Sequence, residues 1–201
     1  GRILALVSKP DFDPNTISEV WDDLVNDSNS SVLVNRATQG LYPPGSTFKI
    51  LTALEYIREN PLTYQNYSFN CNGRFTSGED TIRCFHGTKH GKVDFTTSFA
   101  KSCNSSFANM GLTLSRTSFE DTLSSLYFNQ SLPVDLTSNI SKVSIGTSSS
   151  DSDLIQTVIG QGTTQMTPLH LSMITSMIAN HGIMMQPYII DRVESADGNL
   201  I

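Results

Sequence analysis

The stretch Tyr42-Pro43-Pro44-Gly45-Ser46-Thr47-Phe48-Lys49 decides how the middle of the chain folds. Its prolines and its glycine stop regular structure, and a serine follows them directly. An apolar run with helical spacing begins behind that serine, at Ile50, Leu51, Ala53, Leu54 and Ile57. The stretch therefore predicts a loop that feeds the first turn of a helix, which runs from Ser46 to about Glu59 and ends before Pro61.

Ser46 and Lys49 are three residues apart, so on a helix their side chains lie on one face within reach of each other. The Ser46 hydroxyl would lie at the helix N-terminus, where free backbone N–H groups favour developing negative charge. A serine becomes a strong nucleophile when a neighbouring base takes its proton, and an amine with a lowered pKa can be that base. The competing interpretation is an N-cap serine beside a solvated lysine, because Ser-x-x-Lys alone is a short and common pattern.

The composition restricts the class of protein. The 201 residues suffice for one domain, or two small ones, with a sizeable core. Hydrophobic residues make up 38% and charged residues 16%, which argues against a disordered chain. A net charge of −6 without a basic cluster argues against a nucleic-acid partner. No apolar run has the length of a membrane span or a signal peptide.

Both ends of the chain resemble cuts made inside a domain. Residues 2–8 and 186–194 are predicted strands, and Asp197-Gly198 is a predicted hairpin turn. Between the ends, we predict helices at 17–25, 94–99, 107–114 and 118–128, and one that opens at Thr167-Pro168 and ends at Gly182. Residues 67–71 and 81–85 are predicted strands in an irregular segment, 62–93, and residues 129–153 form a predicted loop.

The three cysteines, Cys71, Cys84 and Cys103, do not indicate a disulfide scaffold, and their spacing matches no zinc pattern. Cys71 and Cys84 flank a predicted hairpin and could pair across it; the alternative is a pair of half-buried free thiols. The sequence places no carboxylate or cysteine at ligand spacing from His86 and His90. We therefore predict loop histidines and no metal site.

Several of these segments together resemble the transpeptidase domain of penicillin-binding proteins. Two motifs of that family match Ser46-Thr47-Phe48-Lys49 and Ser102-Cys103-Asn104. Further segments resemble the family in the family's own order: residues 1–8, 10–14, 35–37, 42–45 and 159–169. The resemblance covers nearly the whole chain and is closest to the class B, monofunctional enzymes of Gram-positive bacteria.

The family's third motif, Lys-Thr-Gly, is absent from the 201 residues, as is Lys-Ser-Gly. In the family this motif lies downstream on a strand that lines the active site. The resemblance thus implies an α+β fold, the helix-rich part of the serine β-lactamase and penicillin-binding transpeptidase fold with an incomplete antiparallel sheet. It implies that residues 1–201 are a partial transpeptidase domain, truncated at both ends, which is inactive or impaired by itself.

The resemblance also assigns roles to residues. Ser46 would be the acyl-accepting nucleophile and Lys49 its base, while the Ser46 N–H supplies half of an oxyanion hole. Ser102 would pass a proton to the leaving group, and Asn104 would bond the substrate amide and hold Lys49. Cys103 would point away into the packed interior. By themselves, Ser102 and Asn104 favour a plain corner between two helices that has local capping bonds. The Ser-x-x-Lys motif at a plausible separation reverses that preference and favours the catalytic interpretation.

The function implied by the resemblance is peptidoglycan D,D-transpeptidation, which cross-links cell-wall stem peptides through an acyl-serine and needs no cofactor. β-Lactams would acylate the same serine. The resemblance implies a full-length protein at the extracytoplasmic face of the cell membrane, with membrane partners from cell-wall synthesis, and a fragment that is itself soluble. Two alternatives stay open: a serine β-lactamase or β-lactam sensor, and a non-catalytic scaffold that binds a partner.

Overall fold

Seven α-helices and four short strands make up the regular structure of residues 1–27 and 29–200, the part of the chain that the computed structural model describes. The helices are α1 (Ile17–Asn26), α2 (Lys49–Glu59), α3 (Phe95–Ala100), α4 (Asn104–Gly111), α5 (Arg116–Ser125), α6 (Asp151–Thr157) and α7 (Pro168–Ala179). The strands are β1 (Ser68–Cys71), β2 (Arg74–Ser77), β3 (Asp80–Arg83) and β4 (Gly91–Asp94). Helices with small antiparallel sheets confirm the predicted α+β class.

The chain divides into two compact units. One unit comprises Gly1–Tyr42, Ser131–Ile140 and Met166–Ile201, and it contains α1 and α7. The other comprises Pro43–Gln130 and Ser141–Gln165, and it contains all the strands and the helices α2 to α6. Every residue for which the sequence predicts a role in the site belongs to this second unit.

The core of the second unit is built around α4, which is short and almost entirely buried. Phe107, Ala108 and Met110 have no exposed surface. Gly111 lets α4 approach Val158 closely, since an added Cβ would lie 2.7 Å from its Cγ1. Burial favours apolar side chains by about 25 cal/mol for each Å² removed from water, so this packing stabilises α4 in the core. The helix begins after its N-cap residue, Cys103.

The strands of the second unit pair as two antiparallel sheets, β1 with β4 and β2 with β3. The β2–β3 hairpin turns at Gly78, which adopts φ +57. Cys71 ends β1 and Cys84 follows β3, so the two cysteines flank this hairpin as predicted. A capping box at Asp94 then starts α3, which was also predicted.

The first unit confirms the predicted helix at Thr167-Pro168. The Thr167 side chain accepts a hydrogen bond from the His170 N–H, and Pro168 occupies the first helical position. The apolar residues of α7 that face the interior are Leu169, Met173, Ile174 and Met177. In the described residues, no helix combines the length and the apolarity that crossing a bilayer requires.

Three predictions of secondary structure were wrong. The predicted strands at 2–8 and 186–194 are reduced to one bridge between Arg2 and Tyr188, with Leu4 87% exposed. A strand needs a partner along its whole length, and here only residues 1–3 find one. The predicted loop at 129–153 ends early, because a capping box between Ser150 and Asp153 starts α6.

Candidate active site

Ser46 lies in a 3₁₀ turn, Gly45–Phe48, that leads directly into α2. The turn is held by Gly160, whose carbonyl accepts a hydrogen bond of 2.9 Å from the Gly45 N–H. Gly160 adopts φ +71, and an added Cβ would lie 2.2 Å from the Gly45 carbonyl oxygen. Only glycine fits here. Gly160 therefore positions Ser46. The sequence does not predict this role, because there Gly160 is notable only as part of the segment Gly160-Gln161-Gly162.

We expect Gly160→Ala to lower the free energy of unfolding by about 2–5 kcal/mol, because left-handed strain and overpacking against backbone add together. The matched control is Gly78→Ala, which also has a positive φ but has no atom within 4 Å of the added Cβ. Strain alone predicts a loss of about 1–2 kcal/mol there. Urea denaturation measures both variants, and equal losses would contradict the close approach of Gly160 to Gly45.

Lys49 lies one helical turn after Ser46 and brings the predicted site residues together. Its Nζ lies 3.4 Å from Ser46 Oγ, 2.9 Å from Ser102 Oγ and 2.6 Å from Asn104 Oδ1. Nζ also donates to the Ser102 carbonyl at 2.8 Å. Lys49 is 2% exposed, whereas Ser46 is exposed to solvent. The solvent-exposed hydroxyl of Ser46 therefore lies next to the buried amine of Lys49.

Burial lowers the pKa of Lys49 from its ordinary 10.5 to about 8, while nearby Cys103 and Cys84 act in the opposite direction. The Phe107 ring lies 5.4 Å from Nζ and forms an apolar wall beside it. An amine with this pKa is neutral for part of the time near neutral pH, so it can accept a proton from a hydroxyl.

Ser102 and Asn104 lie at the corner where α3 ends and α4 begins. Ser102 adopts φ 49, an uncommon backbone conformation for a serine, and its carbonyl consequently faces Lys49. Asn104 donates through Nδ2 to the Arg83 carbonyl at 2.9 Å, which leaves Oδ1 directed at Lys49. Cys103 is fully buried and points away from this group, as predicted, with its Sγ accepting from the Ser106 N–H.

The cysteine prediction needs one correction. Cys71 and Cys84 are free thiols with sulfurs 3.6 Å apart, and they are fully buried where the sequence suggested half-buried side chains. The structure also brings His90 to Cys71, with Nδ1 3.5 Å from Sγ. The sequence predicts only a loop histidine at position 90 and does not predict this contact.

The comparisons with known proteins all indicate the same family. The model of the penicillin binding protein transpeptidase domain matches residues 1–199. Peptidoglycan D,D-transpeptidase PbpA of Mycolicibacterium smegmatis is 28% identical over 98% of this chain and 42% of its own length. Peptidoglycan D,D-transpeptidase MrdA of Acinetobacter baumannii is 30% identical over 98% of this chain and 31% of its own length. The chain therefore spans less than half the length of each of these relatives.

Solved structures agree with this match. The imipenem acyl-enzyme complex of penicillin-binding protein A from M. tuberculosis superposes with a TM-score of 0.87 at 28% identity, covering 98% of this chain and 48% of that one. The complex of penicillin-binding protein PBP2 with MreC from Helicobacter pylori gives a TM-score of 0.83 at 26% identity, covering 94% of this chain and 37% of that one.

Proposed function

Since this chain belongs to the penicillin-binding protein transpeptidase domain family, whose model matches residues 1–199, we propose that its protein is a peptidoglycan D,D-transpeptidase that acts through an acyl-enzyme on Ser46. One observation carries the proposal. An exposed hydroxyl, Ser46, stands 3.4 Å from the buried amine of Lys49, which Ser102 and Asn104 hold from the other side.

In the first step, Ser46 Oγ attacks the carbonyl carbon of a D-alanyl-D-alanine amide, and the Lys49 amine takes the hydroxyl proton. The Ser46 N–H donates to the oxyanion that develops. Ser102 passes a proton to the nitrogen of the leaving D-alanine, which its contact with Lys49 Nζ supports. One Nδ2 hydrogen of Asn104 is directed to Arg83, and the other is proposed to bond the substrate amide.

In the second step, the amino group of another stem peptide attacks the acyl-enzyme and cross-links two peptidoglycan strands, which frees Ser46. A β-lactam carries the same reactive amide and would leave a slow acyl-enzyme on Ser46. The acyl-enzyme complexes of penicillin-binding protein A from M. tuberculosis support this reactivity by relationship. No step requires a metal ion or an organic cofactor.

We extend the proposal to location and partners of the whole protein. Its substrates would be peptidoglycan stem peptides at the extracytoplasmic face of the cell membrane. PBP2 of Helicobacter pylori was solved in complex with MreC, and by relationship we propose a membrane partner from cell-wall synthesis here. The same domain could instead belong to a β-lactamase or sensor, or serve as a scaffold, and the following experiment separates these functions.

The test uses the natural protein that carries these 201 residues. Incubation with benzylpenicillin is expected to add one drug mass per chain, and tandem mass spectrometry of the tryptic peptide 37–49 should locate it on Ser46. A donor peptide ending in D-alanyl-D-alanine should release D-alanine. Sustained hydrolysis of nitrocefin would favour a β-lactamase. A lasting adduct on Ser46 without D-alanine release would favour a sensor, and an unmodified Ser46 with no D-alanine release would favour the scaffold. Each of these three results overturns the proposal.

A further inference from the structure

Two arginines lie directly opposite each other on the exposed face of the β2–β3 hairpin. Arg74 pairs with Arg83 in the antiparallel register, and Thr76 pairs with Thr81 two positions further along the ladder. All four side chains are exposed, and the two threonine hydroxyls lie 3.1 Å apart. The opposite face of the hairpin packs inward and includes Ile82, which is buried. The hairpin therefore presents a polar face with two cations to the solvent.

The two arginine side chains are close neighbours without a counterion. The Cys84 N–H donates to the Gly73 carbonyl at 3.0 Å, so the adjacent pair, Arg74 and Arg83, is a non-hydrogen-bonded pair with Cα atoms about 4.5 Å apart. Like charges directly opposite each other destabilise a sheet. Among the described residues, neither guanidinium lies within ion-pair distance of a carboxylate. The hairpin therefore carries a repulsion that a bound anion would relieve.

The segment that contains this pair is positively charged, although the chain as a whole is acidic. The net charge of the chain is −6, yet residues 67–103 contain five lysines and arginines and only three carboxylates. Two of these carboxylates have other partners, since Asp80 accepts from Ser152 and Asp94 caps α3. The third, Glu79, lies in the hairpin turn, at the end opposite to the arginines. The pair is therefore suited to attract an anion.

The arginine pair lies beside the corner that is assigned to substrate binding. Asn104 donates one Nδ2 hydrogen to the Arg83 carbonyl at 2.9 Å, and its other hydrogen is the one assigned to the substrate amide. Because the two hydrogens of an amide group diverge by about 120°, their acceptors lie about 5 Å apart. An extended peptide advances about 3.3–3.6 Å per residue. A side group one or two residues before the bonded amide is thus within reach of an arginine side chain.

From this arrangement we propose that Arg74 and Arg83 bind a carboxylate of the donor stem peptide, carried by one of the two residues that precede D-alanyl-D-alanine. Guanidinium groups match the two oxygens of a carboxylate in geometry and charge. Thr76 and Thr81 place two hydroxyl groups beside them on the same face. The inference rests on the proposed function and deepens it, because the hairpin would select donors by charge while Ser46 performs the same acyl transfer on each of them.

The test compares donor peptides that differ in a single charge. One probe is L-alanyl-γ-D-glutamyl-meso-diaminopimelyl-D-alanyl-D-alanine, and two others carry an amide in place of the D-glutamate or the diaminopimelate carboxylate. D-Alanine release by the natural protein gives kcat/KM for each probe. We expect one of the amides to lower kcat/KM by about 10-fold, mainly through a higher KM, because a charge-assisted hydrogen bond is lost. Equal values for the three probes would overturn the proposal.

Variants of the arginines show whether the hairpin causes this preference. Arg74→Gln and Arg83→Gln should remove most of the preference for the free carboxylate, and Arg83→Glu should reverse it, because like charges repel. The preference compares two substrates on one protein, so a partly misfolded sample does not alter it. The matched control, Arg192→Gln, removes an exposed arginine that already pairs with Glu194 and should keep the full preference. An undiminished preference in both Arg74→Gln and Arg83→Glu would overturn the assignment.

Binding to the Ser46→Ala variant separates this inference from the proposed function, because no acyl transfer to Ser46 can occur there. An NMR titration observed on the peptide gives the dissociation constants of the free and the amidated donors, and the free donor should bind about 10-fold more tightly. Preferential binding by a protein whose wild type never releases D-alanine would sink the transpeptidase proposal alone. D-Alanine release without a preference in kcat/KM or in binding would sink the carboxylate site alone.

Discussion

Benzylpenicillin is expected to leave no covalent adduct on the Ser46→Ala variant, whereas the wild-type protein gains one drug mass per chain. The acyl bond is made by the Ser46 hydroxyl, which is exposed and lies 3.4 Å from Lys49 Nζ. The neighbouring hydroxyl cannot replace it, because Thr47 Oγ1 donates to the Pro44 carbonyl at 2.7 Å. Intact-protein mass spectrometry after incubation with the drug measures the loss.

The matched control is Thr47→Ala, which removes an exposed hydroxyl from the same 3₁₀ turn and should still form the adduct within a few-fold of the wild-type rate. Each variant removes an exposed hydroxyl together with one hydrogen bond, so each should lower the free energy of unfolding by no more than about 1.5 kcal/mol. A folded Ser46→Ala protein that still gains one drug mass would contradict Ser46 as the nucleophile.

The elements that the sequence predicted correctly are those that local residues determine. The Pro-Pro-Gly stretch and the helical spacing behind it predicted α2, and Thr167-Pro168 predicted α7, because a helix satisfies its hydrogen bonds within one segment. The predicted strands at 2–8 and 186–194 failed for the opposite reason. A strand depends on a partner far along the chain, and an apolar run does not say whether that partner is present.

The same distinction separates the parts of the site. Ser46 and Lys49 are three residues apart on one helical face, so their proximity follows from the sequence. Ser102 contacts Lys49 although 53 residues separate them in the sequence. Only the family resemblance predicted that these two side chains lie close together. The contact between His90 and Cys71 could not be predicted from spacing, because 19 residues separate them and a loop histidine carries no local signal of its partner.

Lys49→Met is expected to lower the second-order rate constant of acylation by about 10²- to 10⁴-fold, the usual contribution of a general base. Methionine keeps the length of the buried stem and removes the amine that faces Ser46, Ser102 and Asn104. The matched control is Lys92→Met, since Lys92 is exposed on β4, and we expect the wild-type rate there. A fluorescent penicillin followed over time gives the rate constants.

The pH profile distinguishes a lost base from a damaged fold. Burial lowers the pKa of Lys49 to about 8, so only about one-tenth of the amine is neutral at pH 7, and the wild-type rate should rise with pH and level off above about pH 9. Lys49→Met should lose this dependence, whereas a merely distorted site would keep the profile at a lower rate. A wild-type rate that is flat between about pH 6 and pH 9 would exclude Lys49 as the base.

The lowered pKa of Lys49 also makes the stability of the folded protein depend on pH. Because the folded pKa lies below the ordinary 10.5, the unfolded chain binds more protons between about pH 8 and pH 10.5, and the free energy of unfolding contributed by Lys49 rises with pH across that window. Below about pH 8 the folded protein must hold a buried, charged amine. Lys49→Met removes this contribution, so its unfolding free energy should rise less steeply than the wild type's across the window. Parallel curves for the two proteins would mean that Lys49 titrates as a solvated lysine, which would remove the physical basis for its role as the base.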